Sequence, residues 1–443
     1  MPQALENDDA SKKAMAYSRF YGGKVGVAPK VPVRSLDDFG IWYTPGVAAV
    51  SEAISSNPDL SFELTGRWNS VAVVTDGSRV LGLGNIGPEG ALPVMEGKAL
   101  IYKYLGGVDA FPLPIRTRDQ EEFIKVVKAL EPCLGGVNLE DIESPKCFDI
   151  LDRLQGEMEV PVWHDDQQGT AGVSVAGLFN ALELTGRELR GSRIVLFGTG
   201  AANVATARLL MRAGADPKDL IMIDSKGILN PEREDIDQLM IKNKRKYDLA
   251  INTNGARLKG GLKEALLGAD ALIAAAGVGP NLIKREEVAR MKKRSIVFLL
   301  ANPVPEMLPS EAIKAGAEVV ATGRSDYPNQ VNNSLLFPAV FRGALDVRAK
   351  TITDTMVIAA ARELAAHAKD KGLSKEHILP TMVEWKVYPQ IAATVGEAAV
   401  KEGYARKKSS REELLRAATS TIEHSRMAMD ALRRSGVILE PPS

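Results

Sequence analysis

The sequence predicts an α/β protein with two sheet-containing domains followed by a helical C-terminal segment. Short β-branched runs alternate with helical spacing of apolar residues, which is typical of parallel sheets with helices between the strands. A Gly-rich turn directly follows one of these strands, and the last quarter of the chain has helical spacing throughout. We place the domains at residues 1–162, 163–345 and 346–443.

The composition of the 443 residues excludes several classes of protein. Lys plus Arg and Asp plus Glu both number 56, so there is no general electrostatic attraction to nucleic acid or to an anionic membrane. No apolar run approaches the roughly 20 residues of a membrane span, and the acidic start of the chain is unlike a signal peptide. Two cysteines and four scattered histidines lack metal-site spacing. We therefore expect a cytoplasmic protein with reduced thiols, whose metal site, if present, uses oxygen ligands.

In the N-terminal part, the pattern predicts strands at residues 71–75, 109–114 and 135–139, and a helix over residues 119–130. Residues 76–79 are typical of a hairpin turn before a return strand at residues 80–83. The Arg79 side chain in that turn is either solvated or binds a substrate carboxylate through its planar guanidinium group. Tyr43 lies just before a Pro-Gly turn, and taken alone it is an ordinary turn aromatic.

Lys98 is expected at the start of a helix over residues 99–105, where the helix dipole disfavours a cation. Two interpretations stay open. A solvated lysine there needs no explanation, whereas a buried one would have a lowered pKa and would be able to act as a base.

Two pairs of adjacent carboxylates follow predicted strands. Asp165 and Asp166 lie between an apolar strand and a Gly-Thr-Ala-Gly helix start, and such a pair is stable when it is solvated or neutralised by a cation. Glu140 and Asp141 end the strand at residues 135–139. Taken alone, this second pair is more simply interpreted as the acidic first turn of a helix.

A dinucleotide site is predicted at residues 198–203. Gly198, Thr199, Gly200, Ala201 and Ala202 form a Gly-rich turn between a strand at residues 193–197 and a helix at residues 204–213. The pyrophosphate would lie on the N-terminus of that helix.

The acidic residue that the fingerprint requires is Asp224, at the end of the next strand, where it would bind the adenosine ribose and favour NAD. Lys226 would still tolerate the 2′-phosphate of NADP. Asn203 replaces the third glycine of the fingerprint, which predicts looser helix–strand packing there. Further strands at residues 271–275, 296–300 and 318–321 complete a doubly wound parallel sheet of the Rossmann type.

Together these motifs resemble the malic enzymes, in their short prokaryotic form. The matching segments occur in the order of the family, at residues 43–48, 75–84, 97–100, 138–142, 164–171, 301–303 and 332–333. These segments are distributed over nearly the whole length of the chain. His164 stands where the family more often has Asn.

The resemblance implies a metal- and substrate-binding N-terminal domain, a dinucleotide domain, and oxidative decarboxylation of L-malate to pyruvate and CO2 with reduction of NAD or NADP. It implies that Mg²⁺ or Mn²⁺ is held by Glu140, Asp141 and Asp166, whose hard oxygens suit such ions. By the same resemblance, the chain is expected to form a homodimer or a larger homo-oligomer.

The roles of the remaining candidates also come from the resemblance. Lys98 would be the base that removes the C2 hydroxyl proton, tuned by Asp165, and Tyr43 would be the general acid. The predicted substrate and nicotinamide contacts are Arg79, Lys98, Asn302, and Asn332 or Asn333. Three alternatives stay open: another metal-assisted 2-hydroxy-acid dehydrogenase, an oxaloacetate decarboxylase, or a catalytically silent nucleotide-binding regulator.

Overall fold

A computed structural model of the chain describes residues 9–277 and 279–441, so the acidic residues 1–8 lie outside the described residues. The first sheet has four parallel strands in the order β2-β1-β3-β4. Its strands are β1 (Ser70–Thr75), β2 (Asp109–Pro114), β3 (Gly136–Leu139) and β4 (Val162–His164). Because all four strands are parallel, their carboxyl ends lie along one edge of the sheet.

Seven helices belong to this part of the chain: α1 (Asp9–Tyr21), α2 (Leu36–Trp42), α3 (Val47–Ser56), α4 (Ser61–Leu64), α5 (Gly87–Gly106), α6 (Gln120–Ala129) and α7 (Lys146–Glu157). The buried residues of α5 include Ala91, Met95 and Tyr102, which recur at helical spacing and face the core. By contrast, Asp38 is the one buried residue of α1, α2 and α3.

The second sheet has six strands in the order β10-β9-β8-β5-β6-β7. They are β5 (Ile194–Phe197), β6 (Leu220–Asp224), β7 (Gly227–Ile228), β8 (Ala271–Ala274), β9 (Ser295–Leu299) and β10 (Ala317–Thr322). All are parallel except β7, which is antiparallel to β6. The chain winds outward from β5 in both directions, so the predicted doubly wound fold is confirmed.

Seven helices accompany this sheet: α8 (Thr170–Leu184), α9 (Ala201–Ala213), α10 (Ile236–Lys242), α11 (Lys244–Asn252), α12 (Leu262–Ala265), α13 (Arg285–Val288) and α14 (Pro309–Lys314). Four more follow: α15 (Phe337–Asp346), α16 (Asp354–Asp370), α17 (Val387–Lys401) and α18 (Arg411–Arg434). Helix α18 returns to the N-terminal half and packs along α5, where the Ser425 hydroxyl donates to the Lys103 carbonyl at 2.8 Å. Within the described residues, no helix is both long and apolar enough to span a membrane.

Two local expectations are wrong. Residues 76–83 do not form a hairpin with a return strand, because the chain turns through a 3₁₀ helix at Leu81–Leu83 and only Val80 and Gly84 form an isolated bridge. Lys98 does not begin a helix, since α5 starts eleven residues earlier at Gly87. The effect of the helix dipole therefore does not apply to Lys98, which faces the core from mid-helix.

Candidate active site

Three carboxylates meet at the carboxyl edge of the first sheet. Glu140 and Asp141 follow β3, and Asp166 follows the neighbouring strand β4. One oxygen from each of the three lies within 4.8 Å of the other two. The Asp141 backbone amide donates to Asp166 Oδ2 at 2.9 Å, which holds the two loops together. Parallel pairing of β3 with β4 is therefore what assembles the cluster.

The cluster fits a divalent cation. Asp141 is 3% exposed, yet its Oδ2 has no hydrogen-bond partner among the described residues. Burial, reinforced by the negative charge of Asp166, raises the pKa of Asp141 to about 8. Burial likewise raises the pKa of Glu140 and of Asp166. Such a group of acids, of which Glu140 and Asp141 are buried and Asp166 is partly exposed, is costly without a cation, and three hard oxygens suit Mg²⁺ or Mn²⁺.

Lys98 lies beside this cluster and is only 8% exposed. Its amine is hydrogen-bonded to Asp165 and lies 3.2 Å from Glu140 Oε1 and 4.4 Å from the centre of the Phe337 ring. Burial lowers the pKa of Lys98, but Asp165 and Glu140 together raise it by more, so the net shift is upward. A lowered pKa was one interpretation of the sequence, and with these two carboxylates beside the amine the shift is in the opposite direction.

A layer of buried polar groups holds these side chains in place. Trp163 Nε1 donates to Asp165 Oδ1 at 3.0 Å. Asn138 Nδ2 donates to Glu140 Oε2 at 2.9 Å, and Asn138 in turn accepts from the Tyr102 hydroxyl at 2.8 Å. Sequence reasoning missed these supporting residues and Phe337. Asn138 and Trp163 each lie on a strand, two residues before an acid that follows the strand, and that spacing was an available signal.

The structure distinguishes the two predicted asparagines. Asn333 Oδ1 accepts a hydrogen bond from Lys98 Nζ at 3.3 Å, so Asn333 faces the site. Asn332 caps the 3₁₀ helix Asn333–Leu335 instead, accepting from the Ser334 amide at 2.9 Å. Asn302 follows β9 and lies against Gly323, where a Cβ would meet its amide nitrogen at 2.5 Å.

Arg79 and Tyr43 are both exposed, with different surroundings. The Arg79 amide donates to the Asp141 carbonyl at 3.0 Å. Burial raises the pKa of Asp166 and the Arg79 charge partly opposes that rise, so this side chain lies at the rim of the cluster. Tyr43 is 71% exposed. Among the described residues, no hydrogen bond, ion pair or ring contact joins its side chain to the carboxylates or to Lys98.

The predicted Gly-rich turn connects β5 to α9. Gly198 has a φ of 94°, and Gly200 precedes the first residue of the helix, Ala201, which Ala202 follows. The Thr199 hydroxyl is buried without a partner among the described residues, and a Cβ on Gly200 would meet nothing within 4 Å. Free helical amides, an unpartnered hydroxyl and open space fit a dinucleotide pyrophosphate.

Asn203 corrects one expectation about this turn. It was predicted to loosen the packing between the helix and the strand. Instead it is fully buried, and its amide donates to the carbonyls of Phe197 and Ile273 at 2.9 and 3.2 Å. Asn203 thus links β5 to β8, and the packing there is close.

Asp224 ends β6 as predicted, but its carboxylate already has two cationic partners. Arg233 lies 3.0 Å from Oδ1 and Lys246 lies 3.4 Å from Oδ2. Lys246 belongs to the basic run at residues 242–246. This pairing partly neutralises the group that was expected to favour NAD.

The comparisons with known proteins agree with this geometry. The family model described as "Malic enzyme, N-terminal domain" matches residues 23–120 and 116–155, and "Malic enzyme, NAD binding domain" matches residues 167–400. The chain belongs to the malic enzyme family. In this family member, Asp165 and Asp166 fall between the two matched domains, on the segment that joins β4 to α8.

Three relatives show how far the similarity extends. An "NAD-dependent malic enzyme" of Geobacillus stearothermophilus is 45% identical over 87% of this chain and 78% of its own. An "NADP-dependent malic enzyme" of Halomonas elongata is 40% identical over 87% of this chain and 92% of its own. The crystal structure of the Entamoeba histolytica malic enzyme is 42% identical, with a TM-score of 0.95 over 100% of this chain and 93% of that one. The similarity therefore spans both sheets.

Proposed function

We propose that this chain catalyses the oxidative decarboxylation of L-malate to pyruvate and CO2, with reduction of NAD or NADP. The observation that carries the proposal is the buried Lys98 amine beside three carboxylates that fit a divalent cation. Family membership supports the same reaction, since relatives of both coenzyme types bear the name malic enzyme. We further propose that the protein acts as a homodimer or larger homo-oligomer in the cytoplasm.

Glu140, Asp141 and Asp166 would hold Mg²⁺ or Mn²⁺, which when bound supplies a Lewis acid at the C2 oxygen of malate. Lys98 would accept the proton of the C2 hydroxyl as a hydride leaves C2 for the nicotinamide. Asp165 would keep the amine pointed at that oxygen, since it bonds both Lys98 and Trp163.

The remaining roles concern the substrate and the coenzyme. Arg79 at the rim would bind a carboxylate of malate through its planar fork. Asn302 and Asn333 would bind the substrate or the nicotinamide ribose. The turn from Gly198 to Ala202 would carry the pyrophosphate and Asp224 the adenosine ribose. Tyr43 would protonate C3 after CO2 has left.

The test measures reduced coenzyme and CO2 together. Purified protein is mixed with L-malate and either NAD⁺ or NADP⁺, with Mn²⁺ or with a chelator. We expect equal amounts of reduced coenzyme and CO2, and neither product under chelation. Malate-dependent reduction of the coenzyme without CO2 release would instead indicate a 2-hydroxy-acid dehydrogenase. A protein that releases CO2 from oxaloacetate but does not act on malate would be an oxaloacetate decarboxylase.

A further inference from the structure

One fully buried carboxylate, that of Glu306, has no role in the proposed reaction. Glu306 lies between β9 and α14 and is 0% exposed. Its Oε1 accepts a hydrogen bond from the Ala276 amide at 3.0 Å, and its Oε2 accepts one from the Ala301 amide at 3.2 Å. Among the described residues, no ion pair joins Glu306 to a cation. A buried carboxylate without a cation is costly, so these two amides are what stabilise it in place.

The two amides belong to different loops of the second sheet. Ala276 follows β8 and Ala301 follows β9, and these two strands are parallel neighbours. Both loops therefore leave the same edge of the sheet. The Glu306 carbonyl also accepts from the amides of Leu282 and Ile283 at 3.1 and 3.2 Å, so the chain beyond Ala276 is tied to the same residue. Glu306 thus connects the loop after β8 to the loop after β9.

Each of these loops adjoins the predicted coenzyme crevice. A Cβ on Gly198 would lie 2.6 Å from Ala276 Cα, so Ala276 packs directly against the Gly-rich turn. Ala301 directly precedes Asn302, which we assign to the substrate or the nicotinamide ribose. In doubly wound sheets the ligand binds in the crevice outside the carboxyl ends of the strands. The amides that Glu306 binds are therefore part of two different walls of that crevice.

We propose that Glu306 is a positioning residue for the coenzyme. Its carboxylate fixes the loop after β8 relative to the loop after β9, and so sets the distance between the Gly-rich turn and Asn302. Because Glu306 is fully buried, it acts through these loops and does not touch the coenzyme. This inference rests on the proposed function, since it identifies the residue that spaces the site for NAD or NADP.

A carboxylate suits this role because both of its oxygens accept hydrogen bonds. Glutamine has nearly the same shape, but it offers one acceptor oxygen and an NH2 group that donates. In Glu306→Gln, one of the two backbone amides, at Ala276 or at Ala301, would therefore face a donor and lose its partner. The loop that carries this amide would be released, while the size of the buried side chain stays the same.

The experiment compares Glu306→Gln with the wild type by coenzyme titration and by steady-state rates. We expect the Kd and the KM of the coenzyme to rise about tenfold, the usual effect of leaving one buried amide unpaired. The Kd of Mn²⁺ should stay within about twofold, because the carboxylate cluster lies at the edge of the other sheet. A structural role alone would lower the folded fraction, and with it the apparent kcat, but would leave the coenzyme Kd and KM unchanged. That result would contradict the proposal.

Glu311→Gln is the matched control. Glu311 lies on α14, close to Glu306 in sequence, and forms a surface ion pair with Lys314. We expect the coenzyme Kd and KM of this variant to match those of the wild type. An equal rise in both variants would mean that the connection between the two loops is not the cause, and would also overturn the proposal.

A measurement on the wild type covers the case in which Glu306→Gln does not fold. Hydrogen–deuterium exchange of the Ala276 and Ala301 amides is followed without coenzyme and then with it. We expect both amides to be protected before any coenzyme is added, because Glu306 already binds them. Rapid exchange that stops only on addition of NAD⁺ or NADP⁺ would show that the coenzyme orders the loops, and the proposal would then be wrong.

Failure of the proposed function is seen separately, since the wild-type protein would then not reduce NAD⁺ or NADP⁺ with malate. A wild type that does so, together with an unchanged coenzyme Kd in Glu306→Gln, would remove this inference and leave the proposed function intact.

Discussion

The Lys98 amine is held by two opposing electrostatic effects. Burial lowers its pKa, while Asp165 and Glu140 raise it by more. The neighbouring carboxylates therefore favour the protonated form of Lys98, which pairs with Asp165. A divalent cation on Glu140, Asp141 and Asp166 would cancel much of the negative potential, and so would bring Lys98 closer to the neutral form that a base requires.

The first prediction is that the affinity for Mn²⁺ falls as the pH is lowered below about 8. Burial and the Asp166 charge raise the pKa of Asp141 to about 8, so below that pH a proton competes with the cation for this carboxylate. We expect the Kd to rise about tenfold per pH unit. The Kd is measured by electron paramagnetic resonance of free Mn²⁺. A Kd independent of pH between about 6 and 8 would contradict the prediction.

The second prediction concerns Lys98 itself. Lys98→Met should lower kcat by about 10²- to 10⁴-fold, the usual contribution of a general base, while the coenzyme Kd stays unchanged. Lys128→Met is the control, because that lysine forms a solvent-exposed pair with Glu157. Steady-state rates and coenzyme titration by fluorescence separate the two effects. Normal turnover by Lys98→Met would remove Lys98 from the mechanism.

Some of these residue-level features were predictable from the sequence, and others were not. Glu140, Asp141 and Asp166 follow successive strands, and parallel strands bring their carboxyl ends together. The contact of Asn333 with Lys98 spans 235 residues, and no local pattern encodes such a contact. Tyr43 matches a family motif, but only the structure reveals its exposure.

At the scale of elements, the π-helical turn Asp165–Gly169 carries Asp166 and connects β4 to α8. Helix α9, which begins at the Gly-rich turn, packs against it. One short element thus touches both the carboxylate cluster and the dinucleotide helix. Gly169 ends this turn and lies directly against the Asp165 carboxylate, so there is no room for a side chain at position 169.

The third prediction tests that close approach. In Gly169→Ala, the new Cβ would overlap Asp165 Oδ1 and press on Asn333 Cβ at 3.1 Å, so Asp165 would move away from Lys98. We expect kcat to fall by about 10²-fold, the cost of misplacing a catalytic group by about 1 Å. Gly156→Ala on α7, where a Cβ meets nothing within 4 Å, should retain full activity. Equal rates for the two variants would show that this close approach does not position Asp165.

The fourth prediction separates the two glycines of the coenzyme turn. Gly198→Ala should lower the free energy of unfolding by more than about 1 kcal/mol, because φ is 94° and its Cβ would overlap the Ala275 carbonyl. Gly200→Ala has open space and should change stability by less than about 0.5 kcal/mol. It should nevertheless weaken coenzyme binding about tenfold or more. Urea unfolding and coenzyme titration test the pair, and unaltered binding by Gly200→Ala would move the pyrophosphate elsewhere.

The elements that sequence patterns missed were those decided by packing. Gly87, Pro88, Gly90 and Pro93 indicate a break, yet α5 runs through all of them. Helix α5 packs on the first sheet and is also contacted by α15 and α18, and this burial overrides weak helix propensity. The expected return strand at residues 80–83 failed because the loop instead hydrogen-bonds to Asp141.

At the scale of the whole molecule, the last helix of the described residues packs against the N-terminal half of the chain. Helix α18, more than 300 residues after α5, covers the face of α5 that would otherwise be exposed. The helical character of residues 346–443 was predicted from apolar spacing. The return of α18 to the N-terminal half was not predicted, because apolar spacing shows which face of a helix is buried but not which element that face packs against. The boundaries at residues 162 and 345 stay predictions.

The fifth prediction tests how much this return stabilises the fold. Ile422 on α18 is fully buried, so Ile422→Ala should lower the free energy of unfolding by about 2–5 kcal/mol. Met427 on the same helix is 70% exposed, and Met427→Ala should change it by less than about 0.5 kcal/mol. Urea denaturation measures both. Similar small losses would mean that α18 contributes little to the stability of the fold.

The hydrogen bond between Lys98 and Asn333 also constrains when the site can form during synthesis. Ribosomes add roughly 5–20 residues per second, so Lys98 leaves the ribosome on the order of ten seconds or more before its partner. Until then the amine and its neighbouring acids belong to a half-built domain that lacks α15 and α18. A nascent chain should therefore acquire its first sheet early and its activity only near the completion of translation.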